Sequence, residues 1–283
     1  MTQRLRRYWM LVLAGGAIAS LAALMLASAP ATAQTAETVD KSALRVCADP
    51  NNMPFSNEKG EGFENKIAEL LASELGVPVR YTWYPDTVGF IRNTLQARKC
   101  DLILGTVAGN ELVQNSNPYY RSAYALIYRE DRGLSLTSLD DPALQSLQIG
   151  AVAGTAPTTV LATNGLLGQL RSYQLVVDTR FSHPAEQVVH DVAAGTLDVG
   201  VVWGPIAGYF AQREAVPLEV VALTGADAPV KLDYRITMGM RFNEPEWKRK
   251  INALLRKRRA DIEKVLRDYG VPLLDEQGQP LEP

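Results

Sequence analysis

The mature-looking part of the chain alternates strand and helix patterns throughout. Leu44–Ala48 is a short apolar run closed by the turn-rich 49–54 segment. Phe63, Ile67, Leu70 and Leu71 then recur at helical spacing up to Gly76, and Val77, Val79, Tyr81 and Trp83 alternate as a half-buried strand does. A second helix over 90–97 and a continuous apolar strand over 101–105 complete a β-α-β-α-β series, which implies a parallel sheet with right-handed crossovers. The same grammar restarts with strands at 147–153, 175–177 and 197–203 and helices at 155–164 and 184–194. Asp101 and Asp198 each follow an alanine four residues upstream and precede an apolar strand; a common loop preference explains this as well as duplication does. An extended stretch at 118–130 and an alternating strand at 231–242 connect the two series. One long C-terminal helix follows, with Trp247, Ile251, Leu254, Leu255, Ile262 and Leu266 on one stripe.

This pattern predicts two α/β lobes joined by two extended crossings: residues 34–130 plus 230–283 as lobe 1, and 131–229 as lobe 2. In such open α/β sheets a ligand sits at the carboxyl ends of the strands, here in the cleft between the lobes.

The N-terminus changes the picture of where this chain works. Arg4, Arg6 and Arg7 precede an uncharged run from Met10 to Leu26, and Ala31-Thr32-Ala33 supplies a small-residue cleavage site. Residues 1–33 therefore read as a signal peptide, with an uncleaved anchor as the alternative. Removing its three arginines takes the formal charge from −2 to −5. An acidic chain without interleaved basic and aromatic residues carries no nucleic-acid footprint. No further run reaches spanning length, and an exported, two-lobed, hinged protein has the profile of a solute receptor.

Several segments carry a closer resemblance. They are 45–57 (RVCADPNNMPFSN), 60–68 (GEGFENKIA), 89–95 (GFIRNTL), 118–122 (PYYRS), 202–210 (VWGPIAGYF) and 267–272 (RDYGVP). Together they resemble a subgroup of type II periplasmic solute-binding proteins, the quinoprotein-dehydrogenase-associated substrate-binding proteins, over nearly all of residues 44–274. The resemblance implies the type II periplasmic binding protein fold, a periplasmic and monomeric protein, and no cofactor of its own. It implies a PQQ-dependent alcohol or methanol dehydrogenase, or its cytochrome c, as partner; the alternative is a small solute passed to an ABC permease. Amino-acid receptors of this fold clamp their ligand with an Arg and an Asp, and laid ungapped those positions fall on Gly109 and Trp203. A carboxylate without its bidentate Arg loses its strongest contact, so a standard amino acid is disfavoured.

Asp49, Glu64, Trp83, Phe90, Thr106, Arg121, Gly154, Thr155 and Trp203 form the expected cleft lining. Trp83 and Trp203 make either an aromatic wall or interlobe packing. Arg121 meets an anion or bridges to Asp49 or Glu64. Gly154-Thr155 offers backbone N–H groups at a helix start. His183 and His190, two helical turns or roughly 10 Å apart, are too distant to share a metal even with Asp191 nearby. No spacing supports Asp49 with Glu64 as a catalytic pair, and no nucleophile triad or phosphate loop is present, so no enzymatic activity is expected. Cys47 and Cys100 are the only cysteines. Export favours a disulfide between them, but straight neighbouring strands would stagger them by about 7–10 Å, which leaves buried free thiols as the alternative. Residues 244–270 carry nine Lys/Arg against five Asp/Glu, and Arg256, Lys257 and Arg259 suggest a docking surface for an acidic partner. The alternative is a solvated helix face.

Overall fold

The computed structural model describes residues 38–224 and 230–281; the expected signal peptide lies outside the described residues. The first series forms β1 (Leu44–Ala48), a small hairpin of β2 (Asn51–Asn52) and β3 (Ser56–Asn57), α1 (Phe63–Leu75), β4 (Val79–Trp83), α2 (Phe90–Asn93) and β5 (Ile103–Val107). β1 pairs parallel with β4 and, through Val46 and Leu102, with the start of β5, as the pattern requires. Next come β6 (Gln114–Asn115) and the ten-residue β7 (Tyr120–Arg129). The second series is β8 (Ile149–Val152), α3 (Ala156–Thr163), β9 (Leu170–Tyr173), α4 (Pro184–Ala193), β10 (Val199–Trp203), α5 (Gly204–Ala211) and β11 (Leu218–Ala222). It is parallel where β8 meets β9 and β10. β12 (Asp233–Met240), α6 (Pro245–Lys257) and α7 (Arg259–Asp268) close the chain.

β7 is the element that joins the two series. Its residues 120–123 pair with β12, whereas 124–129 pair with β10 and β11. We place the lobe boundary on these pairings, within β7 between Ala123 and Tyr124, rather than after Glu130. The second half of β7 lies in a sheet covered on both faces. Leu126 and Tyr128 pack with Ile149, Leu161 and Val201 on one side, and Ala125 and Ile127 pack with Val188, Val192 and Phe210 on the other. The first series has its own core, where Phe63, Ile67 and Leu71 of α1 meet Met238, Trp247, Ile251, Ile262 and Leu266.

Three local expectations change. The strand expected at 175–177 lies instead at Leu170–Tyr173: an edge strand needs few apolar residues, and the apolar Leu175 and Val176 are exposed. The helix expected over 90–97 is a single turn, because Thr94 leaves helical dihedrals and its hydroxyl donates to Phe90 O at 2.6 Å. The long C-terminal helix breaks at Arg258, whose φ and ψ are −106° and 20°. Its apolar stripe nevertheless stays buried on both pieces.

Cys47 and Cys100 are joined in a disulfide, with Cα atoms 5.5 Å apart. The straight-strand estimate fails because the chain kinks just before β5. The N–H groups of Asp101 and Leu102 both donate to Arg45 O, at 2.9 and 3.2 Å, and this swings the preceding residue back toward β1. The second half repeats the device, with Asp198 and Val199 donating to Gln148 O at 3.0 and 3.1 Å. The echo between Asp101 and Asp198 is therefore structural: each carboxylate also binds the adjoining strand, Asp101 through Arg45 and Asp198 through Gln148 N.

Candidate functional site

Strand ends and one helix start converge on a cavity of ≈ 450 Å³ between the two halves. Alternation decides which side chains reach it. On β5, Ile103, Gly105 and Val107 line the cavity. Tyr120 and Tyr124 of β7 and Tyr234 and Ile236 of β12 do the same, and Trp203 ends β10 opposite Tyr124. Tyr124, Trp203 and Tyr234 form an edge-to-face cluster, with ring centroids 5.4, 5.9 and 6.5 Å apart.

Facing that aromatic wall are three carboxylates from the first series: Asp49 after β1, Glu64 in the first turn of α1 and Asp86 after β4. The start of α1 is fixed by its neighbours. Phe63 N donates to Pro54 O and Glu64 N to Phe55 O, while the Asn65 side chain accepts from Asn57 N and Gly62 N. This aims Glu64 at Gly105, where an added Cβ would lie 2.2 Å from Glu64 Oε1. Burial, reinforced by the charges of Asp86 and Asp49, pushes the Glu64 carboxyl up to about 8. Burial outweighs the preference of a helix start for negative charge. At neutral pH Glu64 thus presents an O–H donor to the cleft. Asp86 is crowded by the cleft walls, and that crowding with Asp49's charge raises it to about 6. Its side chain keeps access to water at the cleft's edge, so Glu64 holds its proton more firmly.

Asp49 has a different task. Its carboxylate accepts from Asn51 N at 2.8 Å, Asp86 N at 2.6 Å and Thr179 Oγ1 at 2.6 Å. Thr179 belongs to the second series, and Asn51 Nδ2 also reaches Thr179 O and Arg180 O. The pair Asp49 and Asn51 therefore latches the halves together across one side of the cleft. Sequence reading missed Asn51, Asp86 and Thr179; the turn signal at 49–54 pointed to Asn51, while Thr179 sits in a loop with no signal of its own.

Of the expected lining residues, Asp49, Glu64, Phe90 and Trp203 do line the cleft. Five do not. Trp83 stacks on Tyr81 at 4.4 Å and lines a separate recess with Val176 and Asp178. Thr106, one residue out of phase with Gly105 and Val107, is buried and bonded to Thr237 Oγ1 at 2.9 Å. Arg121 points away from the cleft and pairs with Asp233 at 2.8 Å rather than with Asp49 or Glu64. The Thr155 hydroxyl donates to Val152 O at 2.7 Å at the start of α3, and neither it nor Gly154 lines the cleft. His183 lies beside Asn51, and His190 between Glu186 and Glu214.

Among the described residues no Lys or Arg lines this cleft. It therefore lacks the bidentate cationic clamp that a ligand carboxylate binds most strongly, and its aromatic faces and carboxyl groups suit a neutral or positively charged guest. A hinged pair of α/β halves around such a cleft defines a solute-binding protein of the periplasmic type, and the chain belongs to the bacterial extracellular solute-binding proteins, family 3, matched over residues 44–271. It is 31% identical to protein MoxJ of Paracoccus denitrificans, covering 90% of this chain and 95% of the relative. The crystal structure of periplasmic binding protein XoxJ from Methylobacterium extorquens AM1 superposes with a TM-score of 0.71 at 47% identity, covering 82% of this chain and all of that one. MxaJ, at 28% identity and a TM-score of 0.70, has the same fold, with 82% of this chain and all of that one covered. Among the described residues no helix is long and apolar enough to cross a membrane.

Proposed function

We propose that this protein is a non-catalytic periplasmic binding protein that assists a PQQ-dependent alcohol or methanol dehydrogenase system. The choice of partner rests on the subgroup its sequence resembles and on its kinship with MoxJ, XoxJ and MxaJ. The observation that carries the binding mode is a cleft walled by Tyr124, Trp203 and Tyr234 with no Lys or Arg among the described residues that line it. It favours a partner's side chains over a free amino acid. Exposed Leu175, Val176 and Phe181, in the segment that carries Thr179, add an apolar lip for a flexible segment of the dehydrogenase or of its cytochrome. Closure of the halves on that segment, locked by Asp49 and Thr179, would convert binding energy into a shifted open–closed equilibrium.

The second reading is a transport receptor, favoured by the cavity volume of ≈ 450 Å³, which suits a small solute. A pull-down from periplasm of dehydrogenase-expressing cells, run beside thermal shifts against small solutes, separates the two. Recovery of the quinoprotein or its cytochrome, reduced at least fivefold by Trp203→Ala and with no stabilising solute, is the expected result. A solute that raises the melting temperature, with no protein recovered, would replace the first reading with the second.

A further inference from the structure

A second cavity, of ≈ 790 Å³, opens on the other face of the same sheet, between β7, β12, α6 and α7. Since Tyr234 and Ile236 turn into the cleft, Arg235 turns the other way, and its register partner on β7 is Arg121. Two arginines directly opposite on one face repel each other. Asp233 neutralises Arg121 at 2.8 Å, and Arg121 Nη1 donates to Glu276 O at 2.7 Å. Arg235 makes no ion pair among the described residues. Neither does Arg256 of α6 nor Arg259 of α7, and all three line this cavity. Five other basic side chains here are held by carboxylates, Arg249 by Glu246, Lys257 and Arg258 by Glu74, Lys264 by Asp268 and Arg267 by Glu263, while Lys248 and Lys250 lie outside the cavity lining. Arg256 and Arg259, three residues apart, share one side across the break at Arg258, while Lys257 leaves it.

We propose that this groove docks an acidic, partly apolar segment of a protein partner, its carboxylates meeting Arg235, Arg256 and Arg259. Guanidinium groups take carboxylates bidentately, and three without internal partners are three open docking points. The floor beneath them is apolar, formed by Tyr119, Leu255, Ile262 and Leu274, and the cavity far exceeds an inorganic anion, so a peptide fits it better than a free ion. Charge points the same way: residues 244–270 carry a net +4 on an otherwise acidic chain, so an acidic partner is steered to this face and repelled elsewhere. Two acids stand on the rim. Asp275 is engaged by Gln279 N at 2.8 Å, and the exposed Glu276 sets the end at which carboxylates are excluded. The groove and the cleft share only Tyr120 in their linings, and none of the three arginines reaches the cleft, so the proposal does not depend on which guest the cleft takes.

Anisotropy of a labelled twelve-residue peptide alternating Glu and Leu, with a Gln-for-Glu control peptide, tests this on the whole protein. The Glu peptide should bind at 25 mM salt at least tenfold more tightly than the control, and lose at least tenfold on R235A/R256A/R259A. R256A/R259A should lose at least threefold, and Lys257→Ala less than twofold, because Lys257 is held by Glu74. Thermal unfolding of each variant verifies folding, since all three arginines are exposed. Absence of peptide binding at low salt, equal binding by the triple variant, or displacement by millimolar inorganic phosphate would overturn the proposal.

Discussion

Replacing Cys47 and Cys100 together by alanine should lower the unfolding free energy by about 4 kcal/mol, the loop-closure value for a bridge of this span. The two residues are 53 apart in sequence, so the cross-link removes a large share of the unfolded chain's freedom. For a chain of this size each kcal/mol corresponds to roughly 2–4 °C, so the melting temperature should fall by about 8–16 °C. The bridge is buried with Phe90, Leu95, Ile103 and Val113, a cluster behind the cleft wall, so loss of the sulfurs also loosens Phe90 at the site. Calorimetry of the double variant, beside wild type with and without reductant, measures this. A fall below about 1 kcal/mol would mean that the unfolded chain already keeps these ends together.

The second large effect is electrostatic. Glu64 titrates near 8 in the folded protein against an ordinary value of 4.5. Between these values the folded state binds more protons than the unfolded one, so stability falls as pH rises from about 4.5 through 8. A shift of this size has a ceiling of about 5 kcal/mol, and relaxation of the cleft reduces the expected loss to about 2–3 kcal/mol. Glu64→Gln removes that slope. Its melting temperature, equal to wild type or below it at pH 5, should exceed wild type by roughly 4–12 °C at pH 8.5. Asp86, raised to about 6, adds a smaller fall at lower pH that remains in the Gln variant and disappears with Asp86→Asn. Parallel melting curves for wild type and Glu64→Gln across this range would show that water reaches Glu64 and that burial does not hold its proton.

The sequence by itself determined the two α/β series, their parallel order, the buried stripe on the C-terminal helices and the family. The elements follow from periodicity, in which each apolar residue marks the face that its own element must bury, whereas the family was legible in the resemblance of segments such as 45–57 and 202–210. It also placed Asp49, Glu64, Phe90 and Trp203 at the cleft, since residues at or near strand ends and helix starts face the same way in any open α/β sheet. Tertiary structure decided everything that turns on phase or on distant partners. Thr106 and Gly105 differ by one residue and therefore by a whole face of the sheet. Arg121 found Asp233 because β12 returns beside β7 from more than a hundred residues away. The disulfide depended on a kink before β5 that apolar spacing does not encode. Thr179 became part of the latch, and Arg235, Arg256 and Arg259 came to share a groove, because the fold brings separate segments to one place. Local pattern specifies what each element buries; only the packed chain specifies which side chains meet.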